Sequence, residues 1–290
     1  MKHILITGAT GNIGREVIPY LVQTSTNSKI IVAVRNIKTA KIHFKNYPAL
    51  EYRAFDFENT VYCNSAFKNI DVLFLLRPPH ISEVETYFNP LLQSAKENNI
   101  KKIVFLSVQG AEKSKIIPHH RIENLIKTLG FNYIFVRPSY FMQNLTTALL
   151  PEIKEHQSIT LPSGKGVFNW IDVKNIAEAI AFLIEDFDKY KNKAYEITGS
   201  ENKNFYDIAT LITNITGIKI QYKSINPIRF YFKKRKEGLE KPFALVMTML
   251  HFLPRIEKAS NITTNFKDIT GKQPTLLKDF IEREKTIFNG

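Results

Sequence analysis

Three glycines near the start of the chain have the spacing to hold a phosphate. The run Thr7-Gly8-Ala9-Thr10-Gly11-Asn12-Ile13-Gly14 follows a short apolar stretch and leads into helix-forming residues. Gly8 permits a tight turn off a strand, Gly11 lets backbone amides approach a pyrophosphate, and Gly14 lets the helix pack closely on the sheet. The unpaired amides at the helix start, at the positive end of its dipole, would hold the phosphates. Between a strand and a helix, such a triplet reads as a dinucleotide-binding turn. The residue closing the second strand then selects the cofactor. A carboxylate there would bond a ribose 2′-hydroxyl; this chain has Val34-Arg35-Asn36, followed by Lys38, which favours NADP(H) over NAD(H). Asp56, closing the third strand, could meet the adenine amino group or remain a surface carboxylate. Pro19 falls within the first helical pattern and is expected to kink or end it.

These residues need a scaffold, and the first two-thirds of the chain supplies one. Apolar runs at His3 to Thr7, Lys29 to Val34, Glu51 to Ala54, Val72 to Leu76, Lys102 to Ser107 and Tyr133 to Val136 alternate with amphipathic stretches such as Tyr87 to Asn98 and Arg121 to Leu129. Strands of unbroken Ile, Val, Leu and Phe separated by helices predict an α/β fold with a doubly wound parallel sheet covered on both faces. Residues 1–150 are expected to form a Rossmann NAD(P)-binding domain, and residues 151–290 a smaller substrate-side region. Beyond Pro151 the pattern loosens, with a strand expected at Ala194 to Thr198, a helix at Phe205 to Thr216, and little to read between 218 and 255.

Composition narrows the class. Of the 290 residues, 44% are hydrophobic and 23% charged, enough apolar material for a large core and too much for a disordered chain. One cysteine, Cys63, excludes a disulfide framework and a cysteine-based zinc site. No apolar run approaches the ~20 residues of a membrane-spanning helix, and the N-terminus lacks a signal-peptide pattern. A soluble, cytoplasmic protein without a membrane partner is expected. The net charge of +13 is spread along the chain, and Lys233-Lys234-Arg235-Lys236 is its one dense cluster. This disfavours nucleic acid as the partner. A homodimer stays open.

Several further stretches together resemble the NmrA-like family of atypical short-chain dehydrogenase/reductases. They are the Gly8, Gly11, Gly14 turn, Phe74-Leu75-Leu76-Arg77-Pro78-Pro79, Pro118-His119-His120-Arg121-Ile122-Glu123, and Val136 to Leu145. Phe168-Asn169-Trp170-Ile171-Asp172-Val173, where the chain would rejoin the sheet (around 168–200), and Ile269 to Pro274 complete the set. The resemblance implies that Gly8, Thr10, Gly11, Asn12 and Ile13 line the pyrophosphate, Arg35 takes the 2′-phosphate, and Asp56 and Phe57 flank the adenine. It places Leu76, Arg77, Ser107, Val108 and Gln109 beside the ribose and nicotinamide. Pro138, Ser139 and Phe141 would lie near the nicotinamide ring, facing the substrate. The family includes NAD(P)H-dependent quinone and azo-type reductases and also non-catalytic NADP-binding sensors.

The Tyr-x-x-x-Lys pair of typical short-chain dehydrogenases is missing, since none of the twelve tyrosines has lysine four residues later. Lys115 and His119 would stand in its place. Ordinary ketone chemistry is therefore disfavoured, whereas quinones and azo compounds need orientation beside the nicotinamide more than a dedicated acid. His119, His120 and Tyr140 are the candidate catalytic groups, with capping or hydrogen bonding to ribose as the structural alternative for either histidine. Neighbouring residues on a helix point about 100° apart, so His119 and His120 do not form a metal pair. In the C-terminal region, Phe230, Phe232, Met247, Met249 and Phe252 are expected to wall either a cleft or the core. The resulting expectation is an NADPH-dependent reductase acting on a small aromatic, quinone-like or related conjugated acceptor. The alternative is a non-catalytic NADP(H)-sensing regulator that works through protein partners.

Overall fold

A computed structural model describes residues 1–25, 27–59, 61–115 and 117–289, with the backbone only of Asn289. In chain order the strands and helices are β1 (Lys2–Ile6), α1 (Gly14–Thr24), β2 (Ser28–Val34), α2 (Ile37–His43), β3 (Glu51–Ala54), α3 (Val61–Phe67), β4 (Val72–Leu76), α4 (Asn89–Glu97), β5 (Lys102–Leu106), α5 (Pro118–Thr128) and β6 (Asn132–Pro138). They continue with β7 (Tyr140–Phe141), α6 (Leu150–His156), β8 (Ser158–Leu161), β9 (Val167–Ile171), α7 (Val173–Glu185), α8 (Phe187–Tyr190), β10 (Lys193–Ile197), β11 (Asn202–Asn204), α9 (Phe205–Thr216) and β12 (Gln221–Ser224). The last helices are α10 (Pro227–Lys236), α11 (Lys241–Phe252), α12 (Asn265–Thr270), α13 (Leu277–Arg283) and α14 (Lys285–Asn289).

The chain divides into two compact units, residues 1–138 with 173–197 and 265–272, and residues 139–172 with 198–264 and 273–290. Against a division at residue 150, the first crossing falls after Pro138, and two later segments return to the first unit.

The first unit is built on a seven-stranded sheet in the order β10-β6-β5-β4-β1-β2-β3, with every neighbouring pair parallel. Its strands are apolar throughout because both faces are covered. Leu5, Ile31, Leu73, Leu75, Phe105 and Phe135 point to the face packed by α3, α4 and α5, where Phe67, Phe88, Leu92 and Ile122 fill the core. The opposite face carries α1 and α7, which pack on each other. This is the doubly wound Rossmann-like α/β fold. Its strand order reverses between β1 and β4, and in such sheets ligands bind outside the carboxyl ends of the strands at that switch.

Two expectations need correction. Pro19 does not end α1, which runs on to Thr24 because Val17, Ile18 and Leu21 bury its inner face on the sheet. The segment from Phe168 to Asp172 does not rejoin the parallel sheet either. It forms β9 in the second unit, between β7 and β11, and the main sheet is rejoined by β10 alongside β6.

The second unit holds the three-stranded β11-β9-β7 sheet and the parallel pair β12-β8. Its core gathers Phe168, Trp170, Phe205, Ile208, Phe230 and Phe280. Asn169 ties the small sheet together: its amide nitrogen donates to the carbonyl of Gly199 (3.0 Å), and its oxygen accepts from the Gly199 amide (2.8 Å).

Candidate cofactor site

The glycine turn lies at the carboxyl end of β1, at the switch point. Gly8 adopts φ +61°, and a side chain there would run into Leu76 at the end of β4, 2.9 Å away. A methyl group on Gly14 would lie 2.3 Å from the Gly8 carbonyl oxygen and 2.6 Å from the Ala9 Cα. The turn is closed by Gly11 N–H donating to the Gly8 carbonyl (3.0 Å), while the amides of Thr10, Asn12 and Ile13 have no acceptor among the described residues. Ile13 stands at the N-cap of α1 with no side-chain cap. The loop thus presents free donors at a helix start, with no side chain on Gly8 or Gly11 to cover them.

Thr7 is a contributor that the residue pattern did not single out. Fully buried, its hydroxyl donates to the Phe74 carbonyl (3.1 Å) and accepts from the Leu76 amide (2.9 Å), while its own amide also reaches Phe74 (3.1 Å). This stitches β1 to β4 directly below the glycine turn. A polar residue ending an apolar strand was the available signal.

Arg35 follows the last residue of β2 and is exposed, with no ion pair or hydrogen bond among the described residues. Asn36 beside it caps α2, its side chain accepting from the Thr39 amide (3.1 Å). The cap fixes the backbone on which Arg35 stands and leaves the guanidinium free. Asp56 is half-buried and accepts from the Glu58 amide (3.1 Å). The Phe57 ring belongs to the core, packed against Phe55 and Phe88.

Around β4 and β5, Leu76 is half-buried against Gly8. Arg77 spends its guanidinium on the carbonyls of Pro78 (3.0 Å), Pro79 (3.2 Å) and Ile81 (2.6 Å), with no carboxylate partner among the described residues. Burial lowers its pKa to about 10, still a cation at neutral pH. Ser107 is committed to a buried network. Its hydroxyl donates to Glu123 (2.6 Å), which also receives Arg137 through Nε (2.9 Å) and Nη2 (2.6 Å), and Arg137 Nη1 reaches Glu112 (2.6 Å). Gln109 donates from its side chain to Glu196 (3.0 Å) and from its amide to the Pro138 carbonyl (3.1 Å), so Ser107, Val108 and Gln109 form a braced edge beyond β5. Arg137, next to last in the largely apolar β6, is the second residue whose role the pattern alone did not reveal.

The two histidines differ sharply. His120 is engaged at both nitrogens, Nδ1 with the Ala111 carbonyl (3.0 Å) and Nε2 with the Asn124 amide (2.8 Å), which makes it a brace between α5 and the preceding turn. His119 packs near Phe105, and its Nε2 accepts from Arg77 Nε (3.4 Å). Burial, with the Arg77 charge second, drives its pKa down to about 3, so it is neutral with the proton on Nδ1. Lys115 is exposed in the turn before α5.

The remaining residues divide between the units. Pro138 ends β6 in the first unit. In the second, the Ser139 hydroxyl donates to Asn169 (2.7 Å), and Phe141 pairs with Ile171 on β9. Tyr140 lies among Phe168, Trp170 and Phe205, its hydroxyl donating to His251 Nε2 (2.9 Å) while His251 Nδ1 donates to the Met247 carbonyl (2.8 Å). Burial raises the Tyr140 pKa well beyond its ordinary value and lowers that of His251 to about 4. Among the described residues no group of three or more His, Cys, Asp or Glu could hold a metal, and no helix is long and apolar enough to cross a membrane.

The half-buried His119 and the buried His251 predict acid sensitivity. Each has a folded pKa below its unfolded value of 6.5. The unfolded chain therefore binds more protons below that pH, and stability falls as pH drops from 6.5 toward 4. Each histidine should cost about 2 kcal/mol at pH 5, at roughly 1.4 kcal/mol per pH unit. In urea titrations, the His119→Gln/His251→Gln variant should lose much less stability between pH 7 and pH 5 than the parent. Parallel losses would contradict the burial of neutral imidazoles.

Fold and glycine turn define a doubly wound, Rossmann-like α/β protein. The family model of the NmrA-like family matches residues 1–268, and the chain belongs to that family. Prestalk A differentiation protein A of Dictyostelium discoideum is 28% identical over 278 residues, covering 96% of this chain and 90% of that protein. The NAD(P)H azoreductase of Xenophilus azovorans is 24% identical, covering 98% of this chain and 99% of its own. Among solved structures, the NADPH-dependent quinone oxidoreductase of Escherichia coli complexed with NADPH matches with a TM-score of 0.84 at 22% identity, covering 97% of this chain and 99% of that one.

Proposed function

We propose that the protein is an NADPH-dependent reductase of quinone-like or related conjugated acceptors. The observation that carries the cofactor part is Arg35, exposed at the carboxyl end of β2 without a partner among the described residues, together with a glycine turn whose Asn12 and Ile13 amides have no acceptor among them. These residues fit a phosphorylated dinucleotide: the Asn12 and Ile13 amides would hold the pyrophosphate, and Arg35 the 2′-phosphate. Arg77 adds positive potential at the end of β4, with no carboxylate partner among the described residues. When bound, the nicotinamide supplies a hydride. The relatives named as an azoreductase and a quinone oxidoreductase support this class of chemistry.

The state of the candidate acids supports the choice of acceptor. His119 is neutral and holds its Nδ1 proton at neutral pH, and Tyr140 keeps its proton in a bond to His251. Neither is tuned toward the working pH as a general acid should be. A quinone needs little proton donation, because its reduced oxygen is stabilised by the ring; a saturated ketone leaves an alkoxide that must be protonated. His119 could still donate a hydrogen bond from Nδ1 without releasing its proton. The scarcity of acids also suits the second reading, a sensor that binds NADP(H) without turnover.

Turnover with simple benzoquinones and with saturated ketones, measured side by side with NADPH, tests the reading. Quinone reduction at least a hundredfold faster than ketone reduction is expected. Comparable rates would overturn the acid-independent mechanism.

A further inference from the structure

Helix α11 is apolar on the side that faces solvent. Ala244, Met247, Thr248 and His251 turn inward, whereas Phe243, Leu245, Val246, Met249 and Leu250 on the opposite side are 38% to 58% exposed. In the sequence this run reads as the wall of a cleft or of the core, and its exposure changes that. Phe230 is core, but Phe232 and Met249 are exposed. Apolar residues clustered this way on a protein surface mark a binding face.

Helix α10 packs beside α11 and supplies charge. Between Pro227 and Lys241 the chain has six Lys or Arg against two Glu. Lys233 pairs with Glu152 and Lys234 with Glu237, but Arg229, Lys236 and Lys241 have no ion-pair partner among the described residues. Ile228, Arg229, Phe232, Lys233, Lys236 and Glu237 line an open, mostly apolar depression on α10.

We infer that the α10–α11 hairpin docks the protein peripherally on an anionic phospholipid surface, its apolar side chains entering the interface and its lysines and arginine meeting headgroups. The charge argues for an anionic occupant and against a second copy of this chain, which would set the same cations face to face. Beyond Lys241 at its start, the exposed side of α11 from Phe243 to Leu250 carries no N–H or O–H side chain. A lipid surface requires none, while a specific protein interface carries roughly one hydrogen bond per 100–200 Å². The inference is independent of the cofactor reading, and no helix needs to cross the bilayer.

Co-sedimentation of the intact protein with sucrose-loaded vesicles tests it, using phosphatidylcholine alone and phosphatidylcholine mixed with phosphatidylglycerol. Binding to the mixed vesicles, weakening as salt rises, is expected. Lys236→Glu should weaken it at least about fivefold, in line with the cost of one lost cation. Val246→Asp/Leu250→Asp should weaken it more than tenfold with only a small loss of thermal stability, because the two residues are already 58% and 46% exposed. Equal binding to both vesicle types, or no loss in the aspartate variant, would overturn the proposal. So would a concentration-dependent dimer dispersed by the aspartate variant, which would give the face to a second copy.

Discussion

Arg35→Asp is expected to cost NADPH binding about two orders of magnitude while changing NADH binding by no more than a few-fold. The guanidinium is exposed and has no partner among the described residues, so little interaction within the free protein is lost when it is removed. A bidentate charge-assisted contact to phosphate contributes roughly 1.5–3 kcal/mol, and the new carboxylate would repel the same phosphate. About 3 kcal/mol corresponds to roughly a hundredfold in affinity. NADH lacks that phosphate, and the introduced carboxylate could accept from its ribose 2′-hydroxyl. Fluorescence titration with both nucleotides checks this; equal losses would remove Arg35 from the phosphate site.

Gly14→Ala is expected to be the most damaging single methyl group in the turn. The new Cβ would fall 2.3 Å from the Gly8 carbonyl oxygen and 2.6 Å from the Ala9 Cα, both backbone atoms that cannot rotate away. Helix α1 would have to lift from the loop, misplacing the amides of Asn12 and Ile13. Overpacking of this kind costs about 1–3 kcal/mol, and NADPH affinity should drop more than tenfold as well. Gly130→Ala is the control: φ is +80° there, and nothing lies within 4 Å of the added carbon. It should cost roughly 1 kcal/mol in backbone strain and leave NADPH affinity unchanged. If both variants bind NADPH like the parent, the turn is not the phosphate site.

The main sheet was readable because its physics is local. Unbroken apolar runs separated by amphipathic stretches located β1 to β6 within a residue or two, and Phe205 to Thr216 forms a helix with the bounds expected, capped by Asn204 and Gly217. Whatever depended on tertiary partners stayed hidden. The strand at 167–171 has the apolar pattern of a core strand, and only its pairing with Tyr140, Phe141 and Asn202 to Asn204 assigns it to the small sheet. Pro19 did not end α1, because the buried face around it carries the helix on to Thr24. His119 and His120 are adjacent and chemically alike, and helix phase alone sends one to Arg77 and the other to Ala111 and Asn124. The apolar run in α11 looks like the wall of a cleft or of the core by composition, and its exposure emerges only from packing.

The most direct measurement is acceptor-dependent loss of the reduced-nicotinamide absorbance, with a simple quinone added and NADPH and NADH compared in parallel. Quinone-dependent oxidation that favours NADPH at least tenfold is predicted. Tight NADPH binding with no oxidation by any quinone would contradict the reductase and leave the sensor as the account of this site.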